Sequence, residues 1–87
     1  MTFGDLDFGS RSGVSGIQAR VTFDNGYGAS VIRGHGTYGE SDGLYELAVV
    51  KGEQLCYDTP VTSDVEGYCT PEMITALLEQ IEALPTP

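Results

Sequence analysis

Ile17–Arg33, I-Q-A-R-V-T-F-D-N-G-Y-G-A-S-V-I-R, is the stretch whose reading decides the fold. Ile17, Ala19, Val21 and Phe23 alternate with Gln18, Arg20 and Thr22, and a period of two is that of a half-buried strand. Asn25-Gly26 follows, the strongest short hairpin signal, because both central residues of the favoured two-residue turn take positive φ. A second strand then runs from about Tyr27 to Arg33 around Val31 and Ile32. Gly28 within it marks a bulge or a close backbone contact.

Beyond this hairpin, Gly34–Gly43 holds four glycines in ten residues, too permissive for a regular element. Leu44–Val50 resumes a strand, Lys51-Gly52 turns the chain, and Gln54–Tyr57 returns as a fourth strand. Asp58-Thr59-Pro60 ends it, since proline cannot donate to the ladder. Val61–Cys69 reads as a connection with room for one helical turn capped by Thr62, Ser63 or Asp64. Thr70-Pro71-Glu72 then supplies an N-cap hydroxyl, proline at the first helical position and an acid at the positive end of the dipole. Met73, Ile74, Leu77, Leu78, Ile81 and Leu84 follow at helical spacing, and Pro85 and Pro87 stop the helix. The expected fold is α+β, a four-stranded antiparallel sheet of two hairpins covered on one face by a C-terminal helix, ββββα, in a single domain over residues 17–87. Residues 1–16 read as a flexible Gly/Ser-rich arm in which Phe3, Leu6 and Phe8 are anchors available for docking.

A chain of 87 residues and 9.3 kDa builds one thin core and no deep enclosed site. No apolar run approaches a membrane span, and the N-terminus lacks the basic start and apolar core of a secretory leader. The expected location is cytoplasmic. Thirteen acids against four basic residues give a net charge of −9, which argues against binding nucleic acid by neutralising phosphates. The imbalance is also segregated. Arg11, Arg20, Arg33 and Lys51 all precede Gly52, and the seven acids after Lys51 face no Lys or Arg. Such a stretch either keeps a small protein soluble or forms a carboxylate surface that mimics nucleic acid before a basic groove.

Catalytic chemistry finds little support. Gly34-His35-Gly36-Thr37-Tyr38-Gly39 matches G-x-G-x-x-G, but that motif delivers a pyrophosphate to a following helix, and here a strand follows. His35 is the only histidine, and Cys56 and Cys69 lack the spacing of a zinc site. Neither a nucleophile elbow nor a phosphate-binding lysine loop occurs. The reading is non-enzymatic, with no metal or cofactor. Tyrosines beside acids suggest instead a surface that grips Arg and Lys by ion pairing and cation–π contact. The candidate partner-binding residues are Glu53, Tyr57, Asp58, Asp64, Glu66 and Tyr68, with Tyr38, and with Glu72, Glu79 and Glu82 on the outer side of the helix.

Asp24–Arg33 (D-N-G-Y-G-A-S-V-I-R), Thr37–Gly39 (T-Y-G), Gly43–Val50 (G-L-Y-E-L-A-V-V) and Leu55–Tyr68 (L-C-Y-D-T-P-V-T-S-D-V-E-G-Y) resemble a group of small proteins encoded by tailed bacteriophages and prophages. The resemblance covers residues 23–84 and carries over no catalytic or binding residue. It implies action in the cytoplasm of a host bacterium, where small acidic phage proteins without enzymatic motifs are frequently inhibitors of defence complexes, anti-CRISPR proteins among them. The expected partner is a bacterial protein with a basic surface, for instance a CRISPR effector. Two other readings stand beside it. One is an assembly accessory that homodimerises through an open sheet edge. The other is a nucleotide or small-ligand sponge built on Gly34–Gly43 with Arg20 and Arg33.

Overall fold

The computed structural model describes residues 1–87. Its architecture is α+β, an antiparallel sheet with a C-terminal helix against one face. Six strands form the sheet, two more than the sequence suggested. They are β1 (Gly9–Ser10), β2 (Gly16–Thr22), β3 (Tyr27–Gly34), β4 (Tyr45–Lys51), β5 (Gln54–Leu55) and β6 (Glu66–Cys69), followed by α1 (Pro71–Glu82). β1, β2, β3 and β4 lie side by side, and β5 and β6 both pair with the outer edge of β4. β5 meets it at Val50↔Leu55 and β6 at Tyr45↔Cys69. The second hairpin therefore closes with a strand of two residues rather than four. The segment read as a connection with a helical turn supplies β6 instead.

Register sets the core. Ala19↔Val31 and Val31↔Leu47 align on one face, as do Val21↔Ala29 and Ala29↔Val49. Val31, Leu47 and Val49 are fully buried with Ile74, Leu78 and Ile81 of α1. Burying each such side chain is worth roughly 1.5–3 kcal/mol, which is why the stripe read from helical spacing finds its cover here. Gly28 is a close backbone contact, since a Cβ there would lie 2.1 Å from the Val21 carbonyl oxygen.

Both helix ends are closed by side chains. Thr70 Oγ1 accepts from Met73 N at 3.2 Å, and Pro71 occupies the first turn. No basic residue lies in the last turn. Asn25 takes that role, its Nδ2 donating to Ile81 O and Leu84 O at 2.9 Å each. Only Gly26 in the first hairpin turn has positive φ, at 89°. The turn is thus a three-residue connection, Asp24-Asn25-Gly26, and not the two-residue form with both central residues left-handed.

The Gly/Ser-rich stretch is docked on the fold. Phe3 and Phe8 lie 5.0 and 5.6 Å, ring centre to ring centre, from Tyr45, and Arg33 stacks over the Tyr45 ring at 4.7 Å. Phe3 N donates to Thr75 Oγ1 at 2.9 Å, tying a short 3-10 turn (Phe3–Asp5) to the flank of α1. Gly9 and Ser10 then pair with Gln18 and Ile17. Composition pointed to flexibility, but two phenyl rings that cover a half-buried tyrosine outweigh the glycines between them. No helix is long and apolar enough to cross a membrane.

Candidate functional site

Charge neutralisation is the first question for a chain of this composition. All three arginines direct their guanidinium groups to backbone carbonyls: Arg11 to His35 O at 2.9 Å, Arg20 to Gly52 O at 3.3 Å and Arg33 to Gly43 O at 3.4 Å. The single ion pair joins the Met1 amine to Glu82 Oε1 at 3.2 Å. No other carboxylate has a cation within ion-pair distance, although Lys51 acts on Asp58 from farther off.

The acids of the chain's second half fall into two sets. Glu53 lies in the β4–β5 turn and Glu66 at the start of β6, both on the outer side of β4, and Asp58 and Asp64 lie in the segment that joins β5 to β6. Glu72, Glu79 and Glu82 occupy a different stripe. At helical spacing they lie on the side of α1 that carries Thr75, toward the N-terminal arm, whereas Met73 and Leu77 occupy the opposite flank. Tyr57 is exposed just beyond β5.

Tyr38 and Tyr68 come together although thirty residues separate them in sequence. Their rings stack with centres 6.4 Å apart and planes inclined by 25°, and they are 59% and 58% exposed. Tyr68 N donates to Tyr38 O at 3.3 Å. Each ring sits over the glycine next to the other. A Cβ on Gly67 would fall 2.6 Å from Tyr38 Cβ, and one on Gly39 would fall 3.0 Å from Tyr68 Cα. Tyr68 itself holds φ of 55°, the only positive value outside glycine, a conformation that costs on the order of 1 kcal/mol or more and persists where the surroundings enforce it. Two large exposed aromatics are thus held in place by backbone.

One carboxylate borders this pair: Glu46 Oε2 accepts from Tyr38 N at 2.9 Å. Glu66, two residues before Tyr68, pairs with Leu47 of β4. Burial, with the negative charges of Glu66 and Glu46 nearby, pushes the Cys69 thiol up to about 11. Cys56 is also raised, chiefly because its thiol donates to Asp58 Oδ1 at 3.0 Å, and secondarily by burial. The same hydrogen bond holds the Asp58 carboxyl below its usual range. Both cysteines are free, and both are kept in the thiol form, which is the opposite of an activated nucleophile.

The glycine-rich loop offers anions little. It leads into a 3-10 turn, Glu40–Asp42, and Thr37 Oγ1 closes it by donating to Gly34 O at 2.8 Å. Arg20 and Arg33, the cations a sponge would need, are already engaged with carbonyls. No group of three or more His, Cys, Asp or Glu converges as a metal-holding cluster. On the helix-free face of the sheet lies a depression of about 240 Å³ lined by Val14, Gln18, Ser30, Ile32, Leu55 and Val65 among others.

Comparison of the chain with protein families, with curated proteins and with solved structures yields no match.

Glu46 was not among the residues singled out from sequence. It stands inside the apolar run L-Y-E-L-A-V-V, and only its alternation with Tyr45 and Leu47 hinted that it leaves the core. Its nearness to Tyr68 depends on β6, which has no periodic signature.

Proposed function

We propose that this protein is a non-enzymatic binding protein that presents an acidic, tyrosine-bearing surface to a basic surface of a protein partner and competes there with nucleic acid. The observation that carries the reading is how little internal neutralisation there is: one ion pair, with Lys51 acting on Asp58 from farther off, leaves the other carboxylates available to an outside cation. Unpaired like charges raise the local negative potential, speed encounter with a positive surface and make binding salt-sensitive. The edge of β4, with Glu53, Asp58, Asp64 and Glu66 flanked by Tyr57, Tyr68 and Tyr38, is the face with both charge and aromatic anchors. The resemblance to phage-encoded proteins supplies the setting: a bacterial defence complex, with a CRISPR effector as the specific partner to test. Binding to the isolated effector is expected to weaken when its DNA target is loaded first and when salt is raised. An interaction indifferent to both overturns the reading.

A second reading rests on the other edge of the sheet. β1 pairs only with Ile17 and Gln18, so Ala19–Thr22 of β2 have no strand on their outer side. An open edge of this kind pairs readily with a second copy. Light scattering across a concentration series checks it, and a strict monomer at millimolar protein excludes it.

A further inference from the structure

We propose that Tyr38 and Tyr68, with Glu46, form a receptor for one arginine side chain of the protein partner. The inference rests on the acidic-surface reading and adds to it the residue that is recognised and the point where it lands.

Exposed tyrosines more often pack part of their ring on the core. Here both rings stay more than half exposed, and the fold spends backbone strain and two side-chain-free glycines on keeping them side by side. A flat aromatic surface next to an unpaired carboxylate is complementary to a group that is planar, cationic and able to donate several hydrogen bonds at once, which describes guanidinium and not ammonium. The molecule already uses this pairing internally, where the Arg33 guanidinium lies over Tyr45 at 4.7 Å. No cation of the chain does the same for Tyr38 or Tyr68, although Glu46 lies against the Tyr38 backbone with no ion-pair partner. Glu46 accepts from the Tyr38 amide through Oε2 at 2.9 Å, which ties its carboxylate to the backbone that carries the ring.

The test follows ring resonances of the intact protein by NMR during titration with N-acetyl-arginine amide, N-acetyl-lysine amide and the neutral isostere N-acetyl-citrulline amide. Arginine amide is expected to shift Tyr38 and Tyr68 with millimolar saturation, lysine amide several-fold more weakly, and citrulline amide not at all. Tyr68→Gly removes one ring while relieving the positive φ, so the fold is retained and the response is lost. Glu46→Gln keeps an acceptor but removes charge, and it weakens binding by about two- to fivefold. Equal responses to arginine and lysine, a response to citrulline, or shifts at Glu72, Glu79 and Glu82 in place of the two rings overturn the receptor. The last outcome leaves the acidic-surface reading standing. Conversely, ring-specific arginine binding without nucleic-acid competition in the effector assay keeps the receptor and removes the competition mechanism.

Discussion

Asn25, in the turn of the first hairpin, closes the end of the helix more than fifty residues later: its Nδ2 lies 2.9 Å from Ile81 O, and its Oδ1 accepts from Tyr27 N at 3.0 Å. The last carbonyls of a helix lack the regular internal partner, and here no glycine cap or basic side chain serves them, Leu84 N reaching only Ile81 O at 3.1 Å. Asn25→Ala strips the amide from several carbonyls at once and is expected to lower stability by about 1–3 kcal/mol in urea unfolding. Asn25→Asp keeps the turn acceptor but sets a carboxylate against the negative end of the dipole, so it should be at least as damaging. A neutral result for both means that water satisfies the helix end.

Anchoring by the N-terminal arm is testable through its rings. Phe3→Ala and Phe8→Ala each uncover part of Tyr45, and a loss of about 1–3 kcal/mol is expected for each, smaller than for a fully buried phenylalanine because both are only partly enclosed. Unfolding midpoints unchanged in both variants contradict the docked arm.

Alkaline pH should destabilise the fold through Cys69. Its thiol keeps a proton up to about 11 in the native state, whereas the ordinary value is 9.0. Between those values the unfolded chain has lost a proton that the native state retains, so the stabilisation is fully present below pH 9 and is lost as pH rises toward 11. At about 1.4 kcal/mol per unit, the loss is at most about 3 kcal/mol. Cys56 is raised as well and adds a slope of the same sign. Cys69→Ala is expected to flatten the dependence of stability on pH over this range, and identical slopes in the two proteins refute the assignment.

Neutralising the edge set, by Glu53→Gln, Asp64→Asn and Glu66→Gln together, should slow association with a basic partner by roughly tenfold at low salt while the dissociation rate changes less. Neutralising Glu72, Glu79 and Glu82 should do this only weakly. The reverse ranking, measured by stopped-flow mixing or surface-based kinetics, would move the interface to the helix.

Sequence pattern reached the parts of the fold where one local rule acts over many residues. Seven alternating positions in β2 and a capped twelve-residue stripe in α1 are such cases. It failed where tertiary partners decide. β1 has two residues, and β6, Glu-Gly-Tyr-Cys, contains a glycine and a left-handed tyrosine, so neither carries a period. Asn-Gly correctly marked the hairpin, yet Asn25 avoids the left-handed conformation as its amide serves the helix. Among the site residues, the acids were visible as a run along the chain. Their division between sheet edge and helix flank, and the meeting of Tyr38 with Tyr68, arise only once β6 lies along β4.

That edge has a dynamic consequence. β4 is matched on one side by the long β3, but on the other by two short pieces joined by residues 56–65, a segment seated by the Cys56 N to Val49 O bond and by buried Cys56 and Thr62. Either piece can detach alone, breaking few hydrogen bonds, so amide exchange there should be orders of magnitude faster than in β2, β3 and the centre of β4. The exposed positions of the joining segment, Tyr57, Asp58, Pro60, Ser63 and Asp64, can also change without disturbing the three long strands, which lets evolution rewrite the contact face while Cys56, Val61 and Thr62 keep the segment seated.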